Sequence, residues 1–164
     1  MKDFKYCPHC KARLEWDIVE GAKRLICKKC KWIYYRNPLP VVACLVLRDK
    51  TELLLIRRGI EPAKGRWALP GGFIEFTEDV ETAGKRELFE ETGVRGSTGR
   101  LIGIESHISV MYGPLLVMGV EYKLGKKVTL SVGDDAMDAR FFPILKLPKI
   151  PFKSHRNLIK AFLE

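Results

Sequence analysis

The chain has 164 residues, of which 46% are hydrophobic and 30% charged, a balance typical of one globular domain with a small additional unit. No apolar run approaches the ~20 residues that a membrane-spanning helix needs, and the first residues lack the apolar core of a signal peptide. We therefore expect a soluble cytoplasmic protein. The formal net charge is +9, of which +6 lies in residues 1–36. A basic surface favours anionic partners, either nucleotides or nucleic acid, without choosing between them.

Four of the five cysteines form two CxxC pairs near the N-terminus, separated by sixteen residues: Cys7 with Cys10, and Cys27 with Cys30. This spacing is typical of a tetrahedral zinc site. Two disulfides are the alternative, although nothing indicates an oxidising compartment. The segment between the pairs predicts a hairpin around Glu20-Gly21 and is too short to build a core, so the metal would supply its folding free energy. We predict a structural zinc ribbon in residues 1–36.

A second domain is predicted in residues 37–164, because the prolines that open it favour extended backbone over helix. Val41 to Leu47 reads as a buried strand, and Glu52 to Ile56 as a second strand. The loop from Arg57 to Arg66 carries four positive charges against one glutamate. Such a loop can meet phosphates, although solvated loop charges are the usual alternative. Paired glycines follow, and they allow the backbone to approach a ligand closely.

The next element is predicted to be a helix that Thr77 caps and Gly93 ends. Glu87, Glu90 and Glu91 are spaced by three and four residues, so they share one face of this helix. Three carboxylates on one face repel each other unless a cation lies among them, and oxygen ligands suit Mg²⁺ or Mn²⁺. A solvated acidic face is the alternative reading of an isolated ExxEE pattern.

The remainder of the chain predicts further strands and a final helix. Leu101 to Ile108 and Leu115 to Leu124 read as strands around a turn, and Ala139 to Phe142 as a short strand. Ser154 can cap a helix that runs to Leu163. Strands, helix, strands and helix in this order predict an α/β layered domain.

Residues 72–94 read GFIEFTEDVETAGKRELFEETGV, with Gly72, Glu78 and the run Arg86 to Glu91 at fixed spacing. This segment resembles the complete Nudix box of the Nudix hydrolases, which cut the diphosphate of nucleoside diphosphate derivatives. Together with the ribbon and the segment GRWALPGG, it resembles the branch with NADH pyrophosphatase and the ribbon-bearing FAD or ADP-ribose pyrophosphatases. The resemblance implies a Nudix α/β/α sandwich with a mixed sheet, and hydrolysis that releases a nucleoside monophosphate.

The resemblance also implies roles for particular residues. Divalent metals would be held by Glu87, Glu90, Glu91 and the backbone carbonyl of Gly71. Arg86 would anchor Glu78 and the loop of the box. A further acidic ligand would be Asp135, with Asp134 and Asp138 as close alternatives. Metals bridging the diphosphate would activate a water, and Glu87, Glu90 or Asp135 would accept its proton. The candidate substrate-binding residues are Arg57, Arg66, Trp67 and Tyr112.

The chain departs from the NADH pyrophosphatases after the box. It has Glu105 to Val110 where they carry SQPxPxPxS, which argues against strict NADH specificity. The proline typical of many ADP-ribose pyrophosphatases is displaced here to Pro114. A module that binds RNA or a nucleotide through the basic ribbon, or an enzyme acting on RNA 5′ ends, remains an alternative. Many relatives are homodimers, so we expect a dimer.

Overall fold

The computed structural model describes residues 4–125, 128–133 and 135–164. The chain divides into two compact units, the first ending at Pro38 and the second beginning at Leu39. In the described part of the chain, no helix is both long and apolar enough to cross a membrane.

The first unit is a three-stranded antiparallel sheet in the order β1-β2-β3. Its strands are β1 (Glu15–Val19), β2 (Ala22–Ile26) and β3 (Ile33–Tyr34). β1 and β2 form the hairpin predicted around Glu20-Gly21, where both residues have positive φ (53° and 75°). The small core beneath this sheet consists of cysteines and a few apolar side chains, including Leu14 and Leu25. So small a core is consistent with a unit whose folding depends on a metal.

The second unit combines strands with two helices. Its elements are β4 (Leu39–Leu45), β5 (Leu47–Arg48), β6 (Glu52–Arg58), β7 (Trp67–Ala68), α1 (Val80–Thr92), β8 (Gly96–Ser109), β9 (Gly113–Leu124), β10 (Ala136–Pro143) and α2 (Lys153–Leu163), with a 3₁₀ turn at Ile144–Lys146. One sheet has the order β4-β9-β8, and a second has the order β10-β6-β5 with β7 also paired to β6. β4 and β9 are parallel, whereas the other pairs are antiparallel. The predicted α/β class with mixed strand directions is therefore confirmed.

Two hydrophobic cores lie on either side of β4 and β6, and each helix belongs to one of them. α1 contributes Ala83 and Leu88 to a core with alternate residues of β4. α2 contributes Leu158, Ile159 and Phe162 to the other core. Both faces of the central strands are thus buried, which is why their sequences are continuously apolar.

The structure corrects the predicted starts of both helices. α1 is capped by Asp79 instead of Thr77, since the Asp79 carboxylate accepts the backbone N–H of Thr82 at 2.7 Å. α2 is not capped by Ser154, which is buried within its first turn. Its N-cap is Phe152, whose extended backbone (φ −79°, ψ 124°) follows a proline. Gly93 does end α1, in the left-handed conformation with φ 70°.

Candidate active site

A cleft of about 340 Å³ opens in the second unit between the glycine loop, the central strands and the start of α2. Glu87 and Glu91 of α1 line it together with Asp135. Aromatic and imidazole side chains line it too, namely Phe73, His107, Tyr112, Phe152 and His155. The cleft therefore combines carboxylates with flat apolar surfaces.

The guanidinium of Arg86 fixes the loop before α1. Its Nε and Nη2 donate to the two carboxylate oxygens of Glu78 at 2.7 and 2.8 Å, and Nη2 also donates to the carbonyl of Phe73 at 3.1 Å. The bond to Arg86 is the main reason why the pKa of Glu78 is lowered to about 2. Glu78 in turn accepts the backbone N–H of Glu75 at 3.1 Å. This paired contact is the strong, oriented kind that arginine makes with carboxylates.

The three glutamates of α1 have different surroundings. Arg86 Nη1 donates to Glu87 at 2.7 Å and to Glu90 at 3.0 Å. Glu91 is buried, and its carboxylate accepts the backbone N–H of Gly71 at 2.8 Å. Burial raises the pKa of Glu87 and raises that of Glu91 to about 8, with the neighbouring carboxylates adding to both shifts. These acids therefore lie close enough to repel each other when ionised.

The glycine loop needs its glycines for close approach. Gly71 has φ 143°, and a Cβ atom there would lie 2.1 Å from the carbonyl oxygen of Val42. A Cβ atom on Gly72 would lie 2.4 Å from the Glu87 carboxylate. The carbonyls of Pro70 and Gly72 accept N–H groups of β4. No described residue donates to the carbonyl of Gly71 between them.

The donor set fits a hard divalent cation. It offers carboxylate oxygens that repel each other, and the Gly71 carbonyl oxygen, which accepts no hydrogen bond from a described residue. Oxygen atoms of these kinds are the ligands that Mg²⁺ and Mn²⁺ prefer. Within the described ranges, no three of these carboxylates have oxygens within 4.8 Å of one another. Arg86 and the Gly71 N–H occupy several of these oxygens with hydrogen bonds. Asp135 lines the cleft and acts electrostatically on Glu91, whereas Asp138 pairs with Arg140 at 2.7 Å. Asp134 lies outside the described residues.

Comparison with known proteins places this geometry in a family. A sequence model for the NUDIX domain matches residues 37–162. The chain belongs to the NUDIX family. Over its first residues, 5–36, it also matches the Nudix N-terminal zinc ribbon. Both matches confirm the resemblance inferred from the sequence, and they make the chain a Nudix hydrolase, an enzyme that cleaves phosphoanhydride bonds.

Individual relatives agree with this membership. The chain is 36% identical to an ADP-ribose pyrophosphatase of Methanocaldococcus jannaschii over 87% of its own length and 84% of that protein. It is 44% identical to a MutT-like protein of Streptomyces ambofaciens, but this match covers 38% of this chain and 39% of that protein. Among solved structures, a NUDIX hydrolase from Nitrosomonas europaea superposes with a TM-score of 0.82 at 28% identity. That superposition covers 98% of this chain and 90% of the other.

The four cysteines of the zinc ribbon gather into one cluster. Every pair of their sulfur atoms lies within 4.8 Å, with Cys7 to Cys30 at 3.5 Å and Cys10 to Cys27 at 3.4 Å. Four thiolates in such a cluster suit a tetrahedral zinc ion. Cys44 lies elsewhere, fully buried in the core of the NUDIX domain, where its thiol donates to the carbonyl of Gly84.

The candidate substrate-binding residues divide into two groups. Tyr112 lines the cleft, and its ring packs edge-on against Phe73 at 5.1 Å. Arg57 and Arg66 are exposed and do not line the cleft. Trp67 does not line it either, because its ring packs against Phe142 at 4.7 Å.

Sequence reasoning missed Arg58 and the residues at the start of α2. Arg58 lines the cleft, whereas Arg57 beside it in β6 does not. β6 is buried on both faces, so its sequence shows no alternation that would reveal which arginine faces the cleft. Phe152, Ser154 and His155 carried no motif, although a phenylalanine, a serine and a histidine at the start of an amphipathic helix are a weak signal.

Proposed function

We propose that this Nudix hydrolase cleaves the diphosphate of ADP-ribose or a similar dinucleotide, releasing a nucleoside monophosphate. One observation carries the proposal, namely that a single cleft contains both Glu87 and Glu91 of α1 and an aromatic wall, although Glu90 does not line it. Carboxylates with metals suit a diphosphate, and flat apolar rings suit a base or a sugar. The similarity to the Methanocaldococcus jannaschii ADP-ribose pyrophosphatase supports this choice of substrate class.

Under this proposal, Mg²⁺ or Mn²⁺ would be held by Glu87, Glu90, Glu91, Asp135 and the carbonyl of Gly71. A divalent cation bound there would neutralise the diphosphate and lower the pKa of an attacking water. Glu91 must lose its proton to act as a ligand, because burial keeps its pKa near 8. The approach of a cation would provide the charge that favours this loss.

The other residues of the chain orient the reactants. Arg86 fixes the box loop through Glu78 and donates to one carboxylate oxygen each of Glu87 and Glu90. Glu87, Glu90 or Asp135 accepts the proton of the attacking water, as the sequence predicts. Tyr112 and Phe152 offer ring faces or edges to the base or ribose. Arg58 supplies a positive charge in the cleft for the phosphates.

The test is to replace Glu87 by Gln and measure AMP release from ADP-ribose with Mg²⁺ or Mn²⁺ present. The amide keeps the shape but removes the charge, so we expect kcat to fall by about 100-fold or more. Glu81→Gln is the matched control, because Glu81 is an exposed acid of the same helix. A folded Glu87→Gln protein with the turnover of the wild type would contradict the proposal.

RNA binding by the zinc ribbon is a second candidate function. Its support is the +6 charge of residues 1–36 together with exposed aromatic side chains, among them Tyr6 and Trp16. Lys23 lies over the Trp16 ring at 5.5 Å, an arrangement compatible with stacking beside a backbone phosphate. Binding of single-stranded RNA that weakens steeply with salt, together with an inability to hydrolyse any dinucleotide, would favour it.

The homodimer and the cytoplasmic location stay predictions.

A further inference from the structure

The start of α2 lies in the cleft with its backbone N–H groups free. The first helical hydrogen bond runs from Arg156 N–H to the carbonyl of Phe152 at 3.2 Å. In the described part of the protein, the N–H groups of Lys153, Ser154 and His155 have no acceptor, and the N-cap Phe152 has no side-chain oxygen to offer. An uncapped helix N-terminus carries a partial positive charge and unpaired donors.

A second, independent feature is the hydroxyl of Ser154. The residue is only 3% exposed and lines the cleft. Its hydroxyl forms no hydrogen bond to any residue that the structure describes. Its oxygen is not fully enclosed, since the enclosed side-chain atoms without a partner among the described residues are those of Arg24 and Thr98. The hydroxyl is therefore open to a ligand or a water in the cleft.

Arg58 brings a full positive charge to the same place. Its guanidinium carbon lies 5.5 Å from the ring centroid of Phe152, the N-cap of α2. Its Nε donates to the carbonyl of Pro62 at 2.8 Å, while its two Nη groups have no acceptor among the described residues. Arg58 already interacts electrostatically with the Glu91 carboxylate. Its charge and the positive end of the helix together favour an anion between them.

The neighbouring His155 is arranged as a neutral donor. Its Nδ1 accepts the backbone N–H of Leu69 at 3.2 Å, so in the neutral ring the proton is on Nε2. Burial, and to a smaller extent Arg58, lower the pKa of His155 to about 3. His155 lines the cleft beside Ser154 and is neutral at pH 7.

We propose that Ser154, the free N–H groups of α2 and Arg58 form an anion subsite that takes a phosphoryl group of the substrate. The cleft is thereby polarised, with carboxylates for cations on α1 and donors for an anion on α2. The subsite would hold the phosphate that departs with the product while the carboxylate cluster holds the phosphate under attack. This assignment to the substrate rests on the proposed function, but the binding of an anion does not.

The test uses the full, zinc-loaded chain without added Mg²⁺ or Mn²⁺ and titrates it with inorganic phosphate at constant ionic strength. Backbone amide NMR signals of Ser154 and His155 report the binding. We expect saturable shifts with a Kd on the order of millimolar, as suits one phosphate held by a few hydrogen bonds. Ser154→Ala should weaken binding by about threefold or more. Ser154→Asp should abolish it, because the carboxylate supplies its own anion to the helix end.

Ser106→Ala is the matched control, since Ser106 is an exposed serine of β8 that does not line the cleft. It should bind phosphate as the wild type does. Absence of saturable shifts at Ser154 and His155 would overturn the proposal, as would a folded Ser154→Asp protein with undiminished binding. Hydrolysis of ADP-ribose without phosphate binding here would remove only the subsite. Phosphate binding here without hydrolysis would remove only the proposed function.

Discussion

Arg86 is the residue on which the acidic side of the cleft depends, because it contacts three carboxylates and one backbone carbonyl at once. Lysine would keep the charge but lose the fork of donors that makes these contacts simultaneous. The geometry of the box loop therefore depends on the shape of the guanidinium as well as on its charge.

We accordingly predict that Arg86→Lys destabilises the protein by about 1–3 kcal/mol, since several charge-assisted hydrogen bonds lose their donor. Urea unfolding would measure this change. Arg48→Lys is the control, because Arg48 is more exposed and pairs with a single carboxylate, that of Glu52, while its guanidinium lies over the Phe141 ring. Equal stability losses in the two variants would argue against a special role of the Arg86 fork.

Glu91 gives a pH-dependent prediction. Its pKa in the folded protein is about 8, above its ordinary value of 4.5. The stability that this group contributes is therefore complete below a pH of about 4.5 and is lost as the pH rises through about 8. In protein without added Mg²⁺ or Mn²⁺, we expect Tm to fall over this range more steeply for the wild type than for Glu91→Gln.

Thermal unfolding at a series of pH values would check this expectation, with Glu81→Gln as a control that keeps the slope of the wild type. Added Mg²⁺ should raise the Tm of the wild type most at alkaline pH, where Glu91 is ionised. Parallel curves for the wild type and Glu91→Gln would show that Glu91 titrates normally.

At the residue scale, the sequence was sufficient to predict which site residues lie together when they belong to one helix or strand. Glu87, Glu90 and Glu91 share a helix, so their common face followed from the 3.6-residue period. Arg58 and Ser154 lie far apart in the chain and meet only through the fold. No periodicity in one sequence can reveal such a meeting.

Close packing of α1 on the sheet determines the position of its glutamates. A Cβ atom on Gly84 would lie 1.9 Å from the hydroxyl of Tyr122, which itself donates to the carbonyl of Val80 at 3.3 Å. The glycine thus allows the helix to approach β9. Each change in this distance would move the glutamates relative to the glycine loop.

We predict that Gly84→Ala destabilises the protein by about 1–3 kcal/mol through overpacking, although alanine favours an isolated helix by about 1 kcal/mol. Chemical denaturation would measure the loss. Gly125→Ala is the control, because a Cβ atom there meets no atom of the described residues within 4 Å. Stabilisation by Gly84→Ala would mean that the helix can shift at no cost.

The zinc ribbon gives a second prediction at the scale of an element. We expect one zinc ion per chain, and loss of both the zinc and the folded ribbon in Cys30→Ser. The NUDIX domain should stay folded, because its two cores contain no residue of the ribbon. Metal analysis and amide NMR would measure both effects, with Cys44→Ala as a control that retains zinc. Zinc-free wild type with a folded ribbon would contradict the prediction.

The elements themselves were largely predictable, and their ends were not. Continuous apolar runs revealed β4 and β6, and the inward face of α2 followed from its helical spacing. The helix starts were misplaced because Thr77 and Ser154 have suitable side chains but the wrong surroundings. Asp79 caps α1 instead, since Arg86 already holds the neighbouring Glu78 in the loop.

At the scale of the whole molecule, charge and chemistry are unevenly distributed. The chain carries a net charge of +9, yet part of the cleft is lined with carboxylates. An anionic diphosphate can approach those carboxylates only if cations neutralise them. We therefore expect hydrolysis to require added metal. This requirement comes from the carboxylates of the cleft together and not from any single side chain.

The most direct test is to measure AMP release from ADP-ribose, NADH and FAD, each with Mg²⁺ or Mn²⁺ and again without either ion. We expect metal-dependent AMP release from ADP-ribose or a similar dinucleotide, and none in the absence of the metal. If the protein cleaves none of the three substrates and instead binds RNA in a salt-sensitive manner, the proposed hydrolase function is contradicted.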